Sequence, residues 1–392
     1  MTVHVRKTIT LPMTTAQTMT ENDDTIVRIA FAGDVYIPDG VERMTLSDEL
    51  AGLLGDCQVR SCNFEAPVSG CGKPIVKIGL CLSQARNAPQ LVEQAGFNLV
   101  SLANNHIFDY GADALKATIA AFRVPVIGAG KSAAEAFKPH FTTVNGCKLG
   151  FLSMGEAEFG AITDEGEGFA WVNHPLAAGA IKRAKAECDV LLVQVHAGVE
   201  QIEIPLPEWR RRYRELVDMG ADAVIGGHPH VPQGWETYRG KPILYSTGNF
   251  FFATDRPHPL WNKGLLAIVS IGRDLSVGIR CVPICRKGDV VGLDGSTEAA
   301  SQLQHLCRML GEPHYTATAN RIAVELWNGR YRRYYENGVN GIGRFSIVRL
   351  LKFAKRLLTG QTLNVPFMLH NIRIESHLWV VRRALNQLYS KL

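Results

Sequence analysis

Short apolar runs rich in β-branched residues alternate with stretches of helical periodicity over most of the first 270 residues. This alternation is typical of an α/β domain, in which helices cover a sheet of neighbouring strands. The apolar runs predict strands at residues 27–32, 97–102, 189–195, 221–225, 242–245 and 264–271. Apolar side chains at helical spacing predict helices at residues 111–122, 175–187 and 207–219.

Side chains that bind metal ions follow four of these predicted strands. They are Asp34, Asn105 with His106, His196, and His228 with His230. Because ligands of open α/β sheets gather beyond the carboxyl ends of the strands, we expect the four turns to converge. A metal-dependent hydrolase needs carboxylate oxygens, imidazole and amide donors, and an open position for water. Asn63 and Glu65 complete this mixture.

Two short strings are more specific than any single residue. In residues 226–230, Gly-Gly-His-Pro-His, the proline stiffens the turn and holds two imidazoles close together. The other string is Asn-Asn-His at residues 104–106, followed by Asp109 and Gly111. Its structural alternative is a turn in which Asp109 caps the helix that begins near Gly111. Single candidates have structural interpretations as well, such as an ordinary turn at Asp34.

The length of 392 residues is too great for one small domain. We expect a disordered arm at residues 1–25, an α/β domain at residues 26–300 and a basic helical extension at residues 301–392. The extension has a net charge of +10, whereas the rest of the chain has −5. Nucleic acid is not expected as a partner, because the main domain is acidic and the tail has no recognised nucleic-acid-binding motif.

The sequence predicts a cytoplasmic protein. No apolar run approaches the roughly 20 residues that a membrane-spanning helix needs. The Thr-rich first 25 residues lack the apolar core and the cleavage site of a secretory signal. The nine cysteines show no paired spacing typical of secreted disulfide frameworks, which favours reduced thiols.

Two stretches of the basic extension predict amphipathic helices, at residues 347–358 and 378–392. The first has apolar residues at helical spacing opposite four lysine and arginine residues. Such a helix either contacts an anionic membrane surface from the inner face or packs on the main domain with its charges in water. The sequence favours packing. The second helix docks on the domain or pairs with another copy.

Six strings of the sequence, in order, closely resemble motifs of the CapA family. They lie at residues 31–34 (Phe-Ala-Gly-Asp), 63–65 (Asn-Phe-Glu), 103–106 (Ala-Asn-Asn-His, with Asp109 and Gly111 following), 196–200 (His-Ala-Gly-Val-Glu), 220–230 (Gly-Ala-Asp-Ala-Val-Ile-Gly-Gly-His-Pro-His) and 245–250 (Tyr-Ser-Thr-Gly-Asn-Phe). This family is the poly-γ-glutamate and capsule biosynthesis group within the calcineurin-like metallophosphoesterase superfamily. The resemblance extends over residues 27–252.

The resemblance implies a four-layer α/β fold, with two mixed sheets flanked by helices, and a metal centre. The metal ligands that it implies are Asp34, Glu65, Asn105, His196, His228 and His230. Asp34 and His230 would hold the first ion, with Glu65 in the bridging position. His106 and Asp109 are the implied catalytic residues, and His106 stabilises the transition state or protonates the leaving oxygen. One or two manganese, iron or zinc ions suit these ligands.

The chain departs from the superfamily pattern at two of these positions. Tyr36 stands where a histidine usually follows the first aspartate, and Glu65 stands in place of the usual bridging aspartate. The first metal position is therefore depleted, or it is completed by Glu200 or Asn63.

These features predict a metal-dependent phosphoesterase that acts on a small-molecule or polymeric phosphate-type substrate in the synthesis of a capsule or extracellular polymer. An alternative is a non-catalytic scaffold that recruits a polymer synthase to the inner membrane face through the basic tail. A third interpretation keeps the metal and changes the bond that is cleaved, which gives an amide or polymer hydrolase.

Overall fold

The computed structural model describes residues 24–254, 256–311, 313–339, 347–359 and 364–390. The arm predicted at residues 1–25 lies outside these ranges except for its last two residues. The strands within the described ranges are β1 (Thr25–Tyr36), β2 (Thr45–Leu46), β3 (Val59–Phe64), β4 (Leu99–Ser101), β5 (Val126–Ile127), β6 (Ala129–Gly130), β7 (His140–Val144), β8 (Cys147–Gly155), β9 (Gly168–Phe169), β10 (Val190–His196), β11 (Ala223–Gly227), β12 (Trp235–Tyr238), β13 (Lys241–Leu244), β14 (Asn249–Phe252), β15 (Lys263–Gly272), β16 (Val277–Lys287) and β17 (Val290–Leu293).

The α-helices cover the sheets and form the C-terminal part of the chain. Within the described ranges they are α1 (Asp48–Gly55), α2 (Ala88–Gln94), α3 (Gly111–Ala121), α4 (Ala133–Ala136), α5 (Pro175–Ala186), α6 (Pro207–Asp218), α7 (Thr297–Gly311), α8 (Tyr315–Leu326), α9 (Arg332–Val339), α10 (Ile347–Leu358), α11 (Val365–Arg373) and α12 (Glu375–Tyr389). A π-helical turn, Trp327–Tyr331, joins α8 to α9.

The strands form two large mixed sheets. The first has the order β2-β17-β16-β15-β1-β3-β4-β5, and β14 pairs in parallel with the end of β1. The second has the order β12-β13-β11-β10-β8-β7. In each sheet a parallel centre is extended by antiparallel strands, such as β15 next to β1 and β7 next to β8. A short pair, β6 and β9, lies apart from both sheets.

The two sheets pack face to face between two outer layers of helices. Phe31 of β1 and Phe151 of β8 meet between the sheets, with ring centroids 6.5 Å apart. Ala30 and Ala32 alternate with Phe31 and pack on the opposite side, in the core shared with α1, α2 and α3, because successive strand residues face opposite ways. Helices α5 and α6 cover the outer face of the second sheet. The predicted four-layer α/β fold is confirmed.

Local sequence explains most of these elements. Helices α3, α5 and α6 begin at the predicted residues and end one residue earlier than predicted. Pro175 and Pro207 open α5 and α6, where the fixed φ of proline suits the first helical turn. Strand β1 differs from the prediction, which ended it at residue 32. It continues to Tyr36 because β14 pairs with its last residues.

The C-terminal extension is helical, as predicted, and α12 docks on the main domain. Trp209 of α6 packs against Trp379 of α12, with ring centroids 4.5 Å apart. The indole N–H of Trp209 donates to Ser376 Oγ at 2.8 Å. Val380 and Ala384 of α12 are fully buried in the same core. The docking alternative for this helix is therefore correct.

Helix α10 has the predicted bounds but not the packing that the sequence favours. Its apolar residues Ile347, Leu351 and Leu358 are 71%, 65% and 88% exposed. The prediction that these side chains pack on the main domain is therefore wrong. Among the described residues, no helix is both long and apolar enough to cross a membrane.

Close approach of backbone at Gly33 generates the first testable prediction. A Cβ atom at Gly33 would lie 1.8 Å from the carbonyl oxygen of Gly248. We expect Gly33→Ala to lower the free energy of unfolding by about 3 kcal/mol, because neither backbone can move without disturbing the strand pairing. Chemical denaturation measures this loss.

Gly52→Ala is the matched control. Gly52 lies within α1, and an added Cβ would meet no atom within 4 Å. The same substitution should stabilise the chain there by about 0.5–1 kcal/mol, the helix preference of alanine over glycine. Equal effects at the two positions would show that the close approach of Gly33 to Gly248 has no energetic role.

Candidate metal centre

The end of β1 places Asp34 between the two sheets' carboxyl edges. The amide N–H of Asp34 donates to Gly248 O at 3.2 Å, and the register of β1 with β3 shifts between Phe31 and Asp34. Such a bulge re-aims a side chain. Asp34 is fully buried.

Strand β3 supplies a second carboxylate. Glu65 follows the strand directly, and its amide N–H donates to Val35 O at 3.0 Å. The side-chain amide of Asn63 donates to Asp34 Oδ1 at 2.8 Å and also to Glu65 Oε2. Asn63 Oδ1 in turn accepts from Asn104 Nδ2 at 3.1 Å. Asn63 therefore orients the two carboxylates.

The turn after β4 presents Asn105 and His106. Asn104 stabilises this turn, because its Oδ1 accepts from the amide N–H of His106 at 3.2 Å and its Nδ2 donates to Phe64 O at 2.8 Å. Asn105 Oδ1 lies 3.2 Å from His196 Nε2. The amide of Asn105 is therefore part of the same cluster as the side chain at the end of β10.

The second sheet contributes three histidines. His196 is the last residue of β10, and His228 and His230 follow β11 on either side of Pro229. Both of the latter have a left-handed backbone, with φ of 92° at His228 and 58° at His230. Such conformations are unfavourable for residues other than glycine and concentrate at functional sites. They turn both imidazoles back toward the carboxylates.

These side chains form one buried cluster. His228 Nδ1 lies 3.0 Å from His196 Nε2, which lies 3.4 Å from Glu65 Oε1. His230 Nδ1 lies 3.3 Å from Asp34 Oδ2. The potential ligand atoms of Glu65, His196 and His228 all lie within 4.8 Å of one another. The structure thus brings all six predicted metal ligands together.

Two carboxylate oxygens in the cluster fit a bound cation. Asp34 Oδ2 and Glu65 Oε1 are buried, and neither accepts a hydrogen bond from the described residues. A buried carboxylate oxygen without a partner is unfavourable. Imidazole nitrogens lie near both atoms, but not in hydrogen-bond geometry. This mixture of hard oxygen and nitrogen donors suits divalent manganese, iron or zinc.

Burial and charge shift the pKa values of the cluster in opposite directions. Burial alone would raise the pKa of Asp34, but nearby His230 and the charge of His196 outweigh it and lower this pKa to about 2. Burial would lower the pKa of His230, yet Asp34 and Glu65 raise it to about 9. Burial and His196 hold the pKa of His228 well below its usual range. His230 is therefore positively charged beside the ionised Asp34 at neutral pH, whereas His228 is neutral.

Glu156 and Glu158 are site residues that the sequence analysis missed. Glu156 Oε1 and Glu158 Oε1 lie 3.3 Å and 3.7 Å from His228 Nε2. Burial and the charge of Glu200 raise the pKa of Glu158 to about 8. The two glutamates and His228 form a second group that could hold a cation. Glu156 follows β8 directly and Glu158 lies two residues further on, so recognising that strand would have pointed to them.

His106 and Asp109 lie beside the cluster. His106 Nδ1 lies 2.6 Å from Asp109 Oδ2, and the same carboxylate contacts Lys77 Nζ and accepts from the amide N–H of Leu82 at 2.8 Å. Asp109 does not cap α3, whose N-cap is Tyr110, so the capping alternative is wrong. With Nδ1 held by Asp109, Nε2 is the ring nitrogen that His106 presents to a substrate. No sequence pattern pointed to Lys77.

The remaining candidates lie around the cluster. Tyr36 packs on Phe252, with ring centroids 4.9 Å apart, and supplies no ligand. Glu200 Oε2 lies 3.5 Å from Arg330 Nη2. Asn249 Oδ1 lies 2.9 Å from His230 Nδ1, so this asparagine positions an imidazole of the centre.

A cavity of about 380 Å³ opens above the cluster. Its lining next to the cluster consists of Asn105, His106, His228 and His230. Its charged lining residues include Lys77, Arg256 and Arg330. Its size suits a small ligand or the end of a larger one.

The chain is thus an α/β protein of two stacked mixed sheets, with a buried cluster of carboxylates and imidazoles at their edges. Residues 28–254 match the sequence model of the family described as bacterial capsule synthesis protein PGA_cap. The chain belongs to this family, which confirms the resemblance seen in its motifs.

Two relatives carry related names. The capsule biosynthesis protein CapA of Bacillus anthracis is 36% identical over 180 residues, 44% of either chain. The PGA biosynthesis protein CapA of Bacillus subtilis strain 168 is 29% identical over 253 residues, 61% of this chain and 66% of that protein. The chain therefore spans between about half and two thirds of these curated relatives. A solved phosphatase from Mycoplasma pneumoniae is 15% identical, covers 67% of this chain and 94% of its own, and has a TM-score of 0.42.

Metal binding at the cluster should appear as thermal stabilisation. A ligand that binds only the folded chain stabilises it by about 2.7 kcal/mol at 100 times its Kd. We expect Mn²⁺ or Zn²⁺ to raise the melting temperature of EDTA-treated wild-type protein. Glu65→Gln keeps the size of the side chain and removes its charge, so it should lose most of the shift. Differential scanning fluorimetry measures both.

His140→Ala is the control for loss of an imidazole. His140 lies on β7, the edge strand of the second sheet, and belongs to no part of the cluster. This variant should keep the full metal-dependent shift. If Glu65→Gln keeps it as well, the cluster is not where the metal binds.

Proposed function

We propose that this chain is a metal-dependent hydrolase of phosphate esters. The observation that carries the proposal is the buried cluster in which Asp34 Oδ2 and Glu65 Oε1 have no hydrogen-bond partner among the described residues. One or two divalent ions would be held by the six side chains of the cluster, which are Asp34, Glu65, Asn105, His196, His228 and His230. Such ions, when bound, activate water and neutralise charge on a phosphoryl group.

The residues of the chain supply substrate positioning and proton transfer. His106 lines the cavity beside Asn105, and Asp109 fixes its orientation through the contact at Nδ1. Its Nε2 is then placed to donate a proton to the leaving oxygen or a hydrogen bond to the phosphoryl group. Asp109 is buried and also contacts Lys77 Nζ, and these contacts fix the position of its carboxylate.

Family membership suggests the biological setting. The relatives from Bacillus anthracis and Bacillus subtilis are named for capsule and PGA biosynthesis. We infer that this chain acts in the synthesis of a bacterial capsule or related extracellular polymer, on a small or polymeric substrate with a phosphate-type group.

Two kinds of variant test the hydrolase. His228→Ala and Asn105→Ala should abolish turnover of bis-(p-nitrophenyl) phosphate and p-nitrophenyl phosphate, because each removes a donor of the metal centre. His106→Ala should lower kcat by about 10²–10⁴-fold while the metal content stays unchanged, as expected for loss of a general acid. Steady-state kinetics with elemental analysis of the same samples separates the two effects.

Circular dichroism should show that each variant is folded, and His140→Ala should keep wild-type activity. Full turnover in both His228→Ala and Asn105→Ala would falsify the hydrolase proposal.

A second candidate function is a scaffold at a membrane surface, which the exposure of α10 favours. Leu351 and Leu358 are largely exposed, and the helix contains four lysine and arginine residues and no acidic residue. A helix of this kind inserts its apolar side chains between lipids, while each cation near an anionic surface adds about 1 kcal/mol. Recruitment of a polymer synthase through this helix does not exclude hydrolysis.

Sedimentation with lipid vesicles tests this second function. We expect the chain to sediment with vesicles that contain anionic lipid and not with purely zwitterionic ones, and Leu351→Glu should weaken the binding at least tenfold. Ile372→Glu, which changes an equally exposed apolar residue on α11, is the control and should bind normally. Normal binding by Leu351→Glu would exclude α10 as the contact.

A further inference from the structure

The C-terminal extension forms one wall of the cavity above the buried centre. Its lining residues are Arg330, Tyr334, His370, Ile374, Ser376 and His377. The match to the family ends at residue 254, so this wall lies outside the matched region. The cavity therefore combines a centre built by the matched part of the chain with a wall that the extension adds.

Histidines in this wall have unsatisfied hydrogen-bonding atoms. Both ring nitrogens of His370, and Nδ1 of His377, are buried without a hydrogen-bond partner among the described residues. The two rings lie 5.2 Å apart, and Tyr334 packs edge-on to His370 at 5.3 Å. Buried polar atoms in native proteins almost always have a partner.

Arg330 is the charged group of the wall. Burial and the charges of Arg330 and Lys77 lower the pKa of His370 to about 4, so this imidazole is neutral at pH 7. Arg330 Nη2 lies 3.5 Å from Glu200 Oε2, longer than a direct charge-assisted hydrogen bond.

The other cations of the cavity have different contacts. Lys77 contacts Asp109 and His106, and Arg256 lies over the ring of Trp261. Arg330, which lies over the ring of Tyr331, is the arginine that the extension contributes to the cavity lining, and an anionic ligand there would compete with Glu200 for it. A guanidinium group offers a planar pair of N–H donors that matches a carboxylate or a phosphate.

We propose that this wall binds the leaving-group side of the substrate, and that Arg330 recognises a second anionic group, a carboxylate or a phosphate, located there. The proposal rests on the proposed hydrolase function and specifies its substrate class. The preferred substrates are phosphate esters with a second negative charge on the alcohol portion. Arg330 is a specificity residue in this scheme, because it touches the substrate away from the reacting phosphate.

Matched substrate pairs test the proposal. Glycerol 2-phosphate and 2-phosphoglycerate differ in one carboxylate, and fructose 6-phosphate and fructose 1,6-bisphosphate differ in one phosphate. We expect kcat/KM of the wild-type protein to be at least tenfold higher for the more anionic member of one pair, mainly through KM. The pair that shows the preference identifies the second group as carboxylate or phosphate.

The variants of Arg330 should change this preference. Arg330→Gln should reduce the ratio of kcat/KM within the pair at least fivefold, and Arg330→Lys should keep an intermediate ratio. Arg332→Gln is the matched control, because Arg332 lies two residues away, pairs with Glu336 on the surface and does not line the cavity. Unchanged melting temperatures show that the variants are folded.

Calorimetric binding of the same four compounds separates this proposal from the hydrolase. If the wild-type protein cleaves neither these compounds nor the two nitrophenyl phosphates but binds one anionic member at least tenfold more tightly, and Arg330→Gln removes that difference, the subsite stands and the hydrolase fails. If turnover occurs with equal kcat/KM in both pairs, or Arg330→Gln keeps the preference, the subsite is overturned and the hydrolase stands. Equal binding within both pairs, without turnover, overturns both.

Discussion

Concentration of negative charge in a buried space is the constraint on which this structure depends. Asp34, Glu65 and Glu156 are almost completely buried within one region, together with three histidines. Carboxylates in such surroundings are stable only when positive charge or protons compensate them. The chain provides part of the compensation itself, through His230 beside Asp34 and the amide of Asn63 between two carboxylates. A divalent cation held by these side chains would supply the remainder.

The scaffold brings these groups together by close backbone contact rather than by flexible loops. At Gly33, strand β1 approaches Gly248 in the loop before β14 too closely for a side chain on Gly33 to fit without rearrangement. Asp34 and Asn249 then lie at paired positions of adjacent parallel strands. From the other sheet, the strained turn around Pro229 returns two imidazoles to the same point. Rigid elements therefore hold the donors in place before any ion binds, which lowers the entropy lost on binding.

The sequence predicted the parts of the site that are local. Asp34, His196, His228 and His230 could be found because each follows a run whose periodicity predicts a strand. Glu156 and Glu158 follow a strand too, but β8 was not among the strands predicted. Lys77 belongs to an irregular segment without periodicity, so only the folded chain shows its contact with Asp109. The exposed face of α10 was unpredictable for another reason: amphipathic periodicity shows that a helix has an apolar side but not what that side contacts.

Glu156 connects two parts of the molecule that lie far apart in sequence. Its Oε2 accepts from the amide N–H of Ser376 at the start of α12 at 2.7 Å, and its Oε1 lies 3.3 Å from His228 Nε2. The start of α12 and the imidazole of His228 therefore contact the same carboxylate. A displacement of α12 that moves Glu156 would also change the surroundings of His228.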